Sequence, residues 1–279
     1  MPEPLALPIR VLVKGASTVS WASGMGGPRT DFTFPRAIEA SLLGDGRPAD
    51  VRTISVPSER TKSTLLHWER EILGFSPDVI VLVYGHYECV HLFLPWWLER
   101  HANSVSGLPR PLRELYRQKV LRPVWMSLAK LQARADSRLD PNIRRNRPKH
   151  VAADLERLIT RQQEIASPLV FVFELLPPAK RFQSWFPGMA ARIEVMNDAL
   201  GDMVARMDLP TVRFFKTSEL VQRHYGGDVD IATPDGFHYT PELHAEIGAE
   251  LARRIAEWAD TQPHLARQVG GPPRQERFA

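Results

Sequence analysis

Apolar residues cluster along this chain in short unbroken runs, each closed by glycine or proline and separated by stretches with helical spacing. Residues 9–13 (IRVLV) form such a run and stop at Lys14-Gly15, the pattern of a strand buried on both faces that feeds a loop. Residues 34–43 then predict a helix closed by Gly44. A second strand over 50–56 precedes a helix over 61–73 that ends at Gly74, a normal C-terminal stop. The third strand is the clearest, DVIVLVY at 78–84, halted by Gly85. PLVFVFELL at 168–176 predicts a fourth, closed by Pro177-Pro178, and 211–215 a shorter fifth; helices over 190–207 and 241–258 follow them. Strand and helix alternate, which predicts an α/β fold with a parallel sheet covered on both faces. Ligands are then expected at the carboxyl ends of the strands.

One part breaks the rhythm. Between the third and fourth strands lie roughly eighty residues, where a crossover needs about a dozen or more. An insertion over about 89–150 is expected there, opening with the apolar and aromatic HLFLPWWLERH and continuing through helical stretches near 111–121 and 124–135. From Gly107 to His150 there are twelve Lys and Arg against three Asp and Glu, a local charge of +9 in a chain whose net charge is +4. The rest therefore sums to −5, and the positive charge is local. Residues 1–262 read as one domain carrying that insertion. The Pro, Gly and Arg-rich stretch over 263–279 predicts a disordered tail.

Composition narrows the classes. With 279 residues and 43% hydrophobic content the chain can bury a full core. One cysteine, Cys89, excludes an internal disulfide and any site that needs several thiolates. The prolines in MPEPLALPIRVLV interrupt what a signal peptide would need, and no run approaches the ~20 apolar residues that span a bilayer, so a cytoplasmic protein without a transmembrane segment is expected.

Three segments would meet on one rim of the sheet: Gly15-Ala16-Ser17-Thr18 after the first strand, Gly85-His86-Tyr87-Glu88 after the third, and DGFHYTPELH, Asp235 to His244, after the fifth. A serine, a histidine to take its proton and an aspartate to fix the imidazole tautomer are the parts of a nucleophilic acyl-transfer site. The three-residue offset lets Asp235 reach Nδ1 of His238 while Nε2 faces Ser17. Asp235 as a simple cap of the following helix is the competing reading of the same spacing.

These residues resemble the SGNH (GDSL-type) hydrolases. IRVLVKGASTVSW is similar to that family's first block, with its nucleophilic serine. DVIVLVYGHYE looks like the third, and DGFHYTPELHAEIGAELA is the closest match, to the fifth. The resemblance spans 9–251, apart from the insertion. It implies a flavodoxin-like three-layer α/β/α sandwich on a parallel five-stranded sheet. It further implies a Ser17, His238, Asp235 triad acting on esters, and no metal or organic cofactor.

The departures fall at the oxyanion hole. Ala16 stands where the first block has Asp. SERTKSTLL places Glu59 where the second block supplies a glycine N–H, and Gly85-His86-Tyr87-Glu88 replaces Gly-x-Asn-Asp. A backbone N–H survives at Glu59, since any non-proline residue carries one. Losing the Asn donor costs ~10²–10³ in rate unless His86 or Tyr87 supplies a hydrogen bond in its place.

Other chemistries fail. GASTV lacks the second glycine of a Gly-x-Ser-x-Gly elbow. His86-Tyr87-Glu88 has the His-x-Glu of zinc deaminases without the cysteines, and a metal site from His86, His91 and His101 competes poorly with ordinary loop residues. A thiol beside Glu88 is not activated, so Cys89 reads as structural. IRRNRPKH has charge but no nucleic-acid module. The apolar segment with Trp96 and Trp97, beside Arg-rich sequence, is a candidate lid for an acyl chain and an anionic carrier or head group; a solvated helical face is the plainer alternative. The partner expected is a small-molecule ester. Hydrolysis, acyl transfer and binding without turnover all remain open.

Overall fold

A computed structural model describes residues 7–90 apart from 26, 30, 57 and 58, positions between 115 and 134, and 146–265 apart from 184–187. Five parallel strands, β1 (Ile9–Gly15), β2 (Ala49–Ser55), β3 (Val79–Val83), β4 (Leu169–Phe173) and β5 (Val212–Phe215), lie in the order β2-β1-β3-β4-β5. Pairing is in register from Ile9↔Ala49 to Gly15↔Ser55 on one side of β1, and from Val11↔Val79 to Gly15↔Val83 on the other. This is the expected flavodoxin-like sandwich, and its chain reversal beside β1 brings the ends of β1, β3 and β4 together on one rim.

Period-two alternation divides the strands between two cores. Val79, Val81, Val83, Phe171 and Phe173 face α1 (Phe34–Gly44) and a long C-terminal helix, while Ile80, Leu82, Tyr84, Val170 and Val172 face the other layer. That second layer is made of α2 (Thr61–Trp68), α4 (Asn146–Ile165) and α5 (Met189–Met207). Between α2 and α4 comes the five-residue α3 (His86–Val90), and after β5 come α6 (Thr217–Tyr225) and α7 (Pro241–Ala259).

Three details differ from expectation. The predicted helix over 61–73 changes to a π-helical turn at Glu69–Leu73. The crossover to β4 is α4, whose inward positions Val151, Leu155, Leu158, Ile159 and Gln162 recur at helical spacing, so the IRRNRPKH run leads into a packed helix. Ordered chain continues to Leu265, which packs against the core. Described positions over 115–121 and within 123–134 are helical. The apolar segment at 91–98, with Trp96 and Trp97, and the tail from 266 onward lie outside the described residues. Among those described, no helix is long and apolar enough to cross a membrane.

Candidate active site

Beyond Gly15 the chain enters a single 3₁₀ turn, Ser17–Val19. Val19 N–H donates to Ala16 O at 3.1 Å, and Trp21 N–H to Ser17 O at 2.8 Å. Ser55 ties this turn to the end of β2: its hydroxyl donates to Ala16 O at 2.9 Å and accepts from the Ser20 hydroxyl at 2.7 Å. Ser17 is thus held on a short, braced loop at the rim, with its side chain partly open to solvent.

The Asp235 turn organises itself around one carboxylate. Oδ1 accepts the Phe237 N–H at 3.1 Å and the His238 N–H at 2.8 Å, while Oδ2 lies 2.8 Å from His238 Nδ1. Gly236 sits at φ +103°, a conformation side-chain-bearing residues rarely adopt, with the Phe182 ring packed where a Cβ would stand. The cap of α7 is Thr240, whose hydroxyl oxygen accepts Leu243 N–H at 3.2 Å. Asp235 is therefore released from the capping role that its spacing allowed.

His238 Nε2 lies 3.0 Å from Ser17 Oγ. With its Nδ1 proton directed at Asp235, the imidazole presents a lone pair to the serine hydroxyl, the tautomer that accepts a proton from the nucleophile. Burial of Asp235 works to raise its pKa, but hydrogen bonds from the His238 ring and from the His238 and Phe237 amides outweigh it and hold the carboxyl below its usual range. The carboxylate is thereby held ionised opposite Nδ1 of the imidazole.

The expected oxyanion residues fare differently. Glu59 is buried; its amide N–H donates to Val56 O at 3.1 Å, and its carboxylate accepts from Lys14 Nζ and, at 3.0 Å, from the Tyr84 hydroxyl. The backbone donor expected there is used within a turn. His86 directs Nε2–H at Leu176 O, 3.2 Å away, and burial pushes its pKa down to about 4, so the ring is neutral with its one proton already engaged. Tyr87 lies half-buried, its ring 5.4 Å from the Arg60 guanidinium carbon. Gly85, at φ +119°, turns the chain from β3 into α3. Glu88 faces the start of α2, where Oε1 accepts Thr61 N–H at 3.0 Å, and does not orient His86. Cys89 is buried.

Two residues beside the serine and histidine lie inside the blocks that prompted the resemblance but had been given no role there. Trp21 stacks on His238 with ring centroids 5.5 Å apart. His244, fully buried, accepts Phe34 N–H at Nδ1 (3.1 Å) and donates from Nε2 to Trp21 O (3.1 Å). Burial pushes its pKa down to about 4 as well. Among the described residues there is no group of three or more His, Cys, Asp or Glu that could hold a metal ion.

A pH dependence follows from the two buried imidazoles. In the unfolded chain each protonates near 6.5, and in the folded chain near 4. The unfolded state binds more protons in that window. The stability the neutral rings contribute is therefore complete above about pH 6.5 and is lost as the pH falls toward 4, by up to ~3 kcal/mol for each ring. Urea denaturation at pH 7.5 and 4.5 should show the midpoint falling with acid, and a flat profile would contradict these environments.

No family model matches the sequence, and no curated protein does. Solved structures do match. A lipase/acylhydrolase from Enterococcus faecalis superposes with a TM-score of 0.56 at 14% identity, over 88% of this chain and 95% of that one. A carbohydrate acetylesterase from Sinorhizobium meliloti gives 0.52 at 15% identity, over 90% and 99%. A GDSL-like lipase from Bacteroides thetaiotaomicron gives 0.51 at 11%, over 93% of each. The fold is that of GDSL-type lipases and acetylesterases, reached at low sequence identity.

Proposed function

We propose that this chain, built on the fold of the SGNH esterases, is a serine esterase or acyltransferase that removes an O-acyl group from a small-molecule, carbohydrate or lipid-like ester. The observation that carries the reading is the continuous path from Asp235 Oδ2 to His238 Nδ1, 2.8 Å, and from His238 Nε2 to Ser17 Oγ, 3.0 Å. Ser17 Oγ attacks the ester carbonyl while its proton passes to His238 Nε2. The tetrahedral oxyanion forms beside the Ser17 amide at the start of the 3₁₀ turn, where helical N–H groups point outward. Collapse expels the alcohol, which takes the proton back from His238. Water, or an acceptor hydroxyl where water is kept out, then repeats the sequence on the acyl-enzyme.

A second reading has its own support: Glu59 N–H and His86 Nε2–H are both engaged elsewhere. Without two of the expected donors the site would be slower by ~10²–10³ for each one lost, and in the limit it becomes a binding site for an acylated or anionic ligand.

One experiment separates the two. The protein is treated with a fluorophosphonate probe, the labelled residue is mapped by mass, and turnover is measured on p-nitrophenyl esters from acetyl to long-chain. The esterase reading expects the label on Ser17, its loss in Ser17→Ala with the fold retained, and turnover of at least one ester. Equal labelling of the Ser17→Ala variant would remove the nucleophile assignment, and an unlabelled, inactive parent would leave the binding protein.

A further inference from the structure

We infer that Trp21 is a positioning residue that holds the His238 imidazole in line between Asp235 and Ser17, an inference that deepens the esterase reading of this site and rests on it for its catalytic consequence. A single hydrogen bond from Nδ1 to Asp235 leaves the imidazole free to swing about that bond, which would carry Nε2 away from the serine. A flat surface against the ring opposes the swing. The indole supplies one, with its plane inclined 26° to the imidazole and centroids 5.5 Å apart.

Trp21 is itself fixed from three directions. Its backbone N–H donates to Ser17 O at 2.8 Å, so the nucleophile and the surface that braces its base belong to one turn. Its carbonyl accepts from His244 Nε2 at 3.1 Å, and the Phe34 N–H bonded to His244 Nδ1 fixes the tautomer that donates. Its ring lies so close to Gly27 that a Cβ there would stand 2.6 Å from Cγ and 2.7 Å from Cδ2. Only glycine leaves room for the indole in this place.

The face of the ring, and not its polar edge, accounts for a tryptophan here. Trp21 Nε1 is buried with no hydrogen-bond partner among the described residues, and leaving a buried donor unmet opposes stability. The gain comes from the faces of the ring, packed on Gly27 and stacked on His238. That gain grows during the reaction, because a cation over an aromatic face is attracted by the ring quadrupole and His238 becomes an imidazolium as Ser17 attacks.

Three variants test this: Trp21→Phe keeps an aromatic face, Trp21→Leu keeps apolar bulk without one, and Gly27→Ala leaves the tryptophan but displaces it. Two readouts are taken, the fluorophosphonate labelling rate of Ser17 with kcat and KM on the best ester, and the Nδ1 proton resonance of His238 in ¹⁵N-histidine-labelled protein, assigned by its absence in His238→Gln. Trp21→Phe should stay within about threefold of the parent. Trp21→Leu and Gly27→Ala should each lose about tenfold or more in labelling rate and kcat with KM little changed, and their Nδ1 proton should exchange faster with water, as a misplacement near 1 Å can cost about 10²-fold. Leucine performing like phenylalanine, with the proton resonance unaltered, would reduce Trp21 to packing and overturn the inference. A parent that neither labels nor turns over esters, yet shows the same loss of the proton resonance in Trp21→Leu, would instead refute the esterase reading while the positioning role stands.

Discussion

His238→Ala is expected to lower kcat/KM by on the order of 10⁵-fold or more, and Asp235→Asn by about 10⁴. In the proposed reaction the histidine would move a proton twice in each turnover, so its removal would leave Ser17 without a base. The aspartate moves nothing; it holds the Nδ1 proton from 2.8 Å and thereby leaves the Nε2 lone pair for Ser17, 3.0 Å away. Asparagine can present its N–H₂ to Nδ1 and shift the proton to Nε2, the wrong tautomer for a base. The double variant should cost little more than His238→Ala alone, because the two act as one unit. Steady-state rates on the best ester of the panel measure this. Comparable and negligible losses at both positions would leave Asp235 and His238 as turn residues only.

The second large effect is on stability. Lys14 is fully buried on β1, with Nζ 2.6 Å from Glu71 Oε2 and 3.1 Å from Glu59 Oε2. Tyr84 donates its hydroxyl to Glu59 Oε2 at 3.0 Å and accepts from Thr64 at 2.5 Å, so the network joins β1, β3 and α2 beneath the rim. Burial opposes the charge on Glu71, but Lys14 reverses the balance and holds that carboxyl below its usual range. Lys14→Met removes the cation and leaves two carboxylates facing each other in the interior, at an expected cost of about 3–5 kcal/mol at pH 8. Without Lys14, the burial that disfavours the charge on Glu71 is no longer offset by it, so protonation of Glu71 as the pH falls should narrow the difference between variant and parent by pH 5. Urea denaturation of both proteins at each pH measures it. A loss below about 1 kcal/mol at pH 8 would show that water reaches the network.

The same network explains why Glu59 could not be read correctly from the sequence. Its position matched a glycine that supplies an amide N–H, and on that local ground the amide was expected at the oxyanion. Its side chain is instead the counter-ion of a lysine forty-five residues earlier, visible in the sequence only as the polar residue closing IRVLVK. His86 is similar. Its ring, next to the position of the expected asparagine, was a candidate donor, but the carbonyl that engages it belongs to Leu176, ninety positions away. Helix α4 was legible in principle, since Val151, Leu155, Leu158 and Ile159 keep helical spacing, but the expected insertion over about 89–150 took in its first turn and the rest was given no element.

By itself the sequence determined the strands, their parallel pairing and the rim on which Ser17, Gly85 and Asp235 emerge. Apolar runs closed by glycine, alternating with helical spacing, admit few other folds, and these are local patterns that survive without knowledge of neighbours. Three residues in a glycine-bearing turn made the Asp235 to His238 contact possible, and left it open against a capping role for Asp235. Tertiary structure alone decided that the His86 ring is engaged by Leu176 and that Trp21 lies on His238. Each of these depends on which distant group arrives first at a hydrogen-bonding or stacking partner. Such competition is resolved by packing, where a burial of a few tenths of a nanometre changes which contact is made.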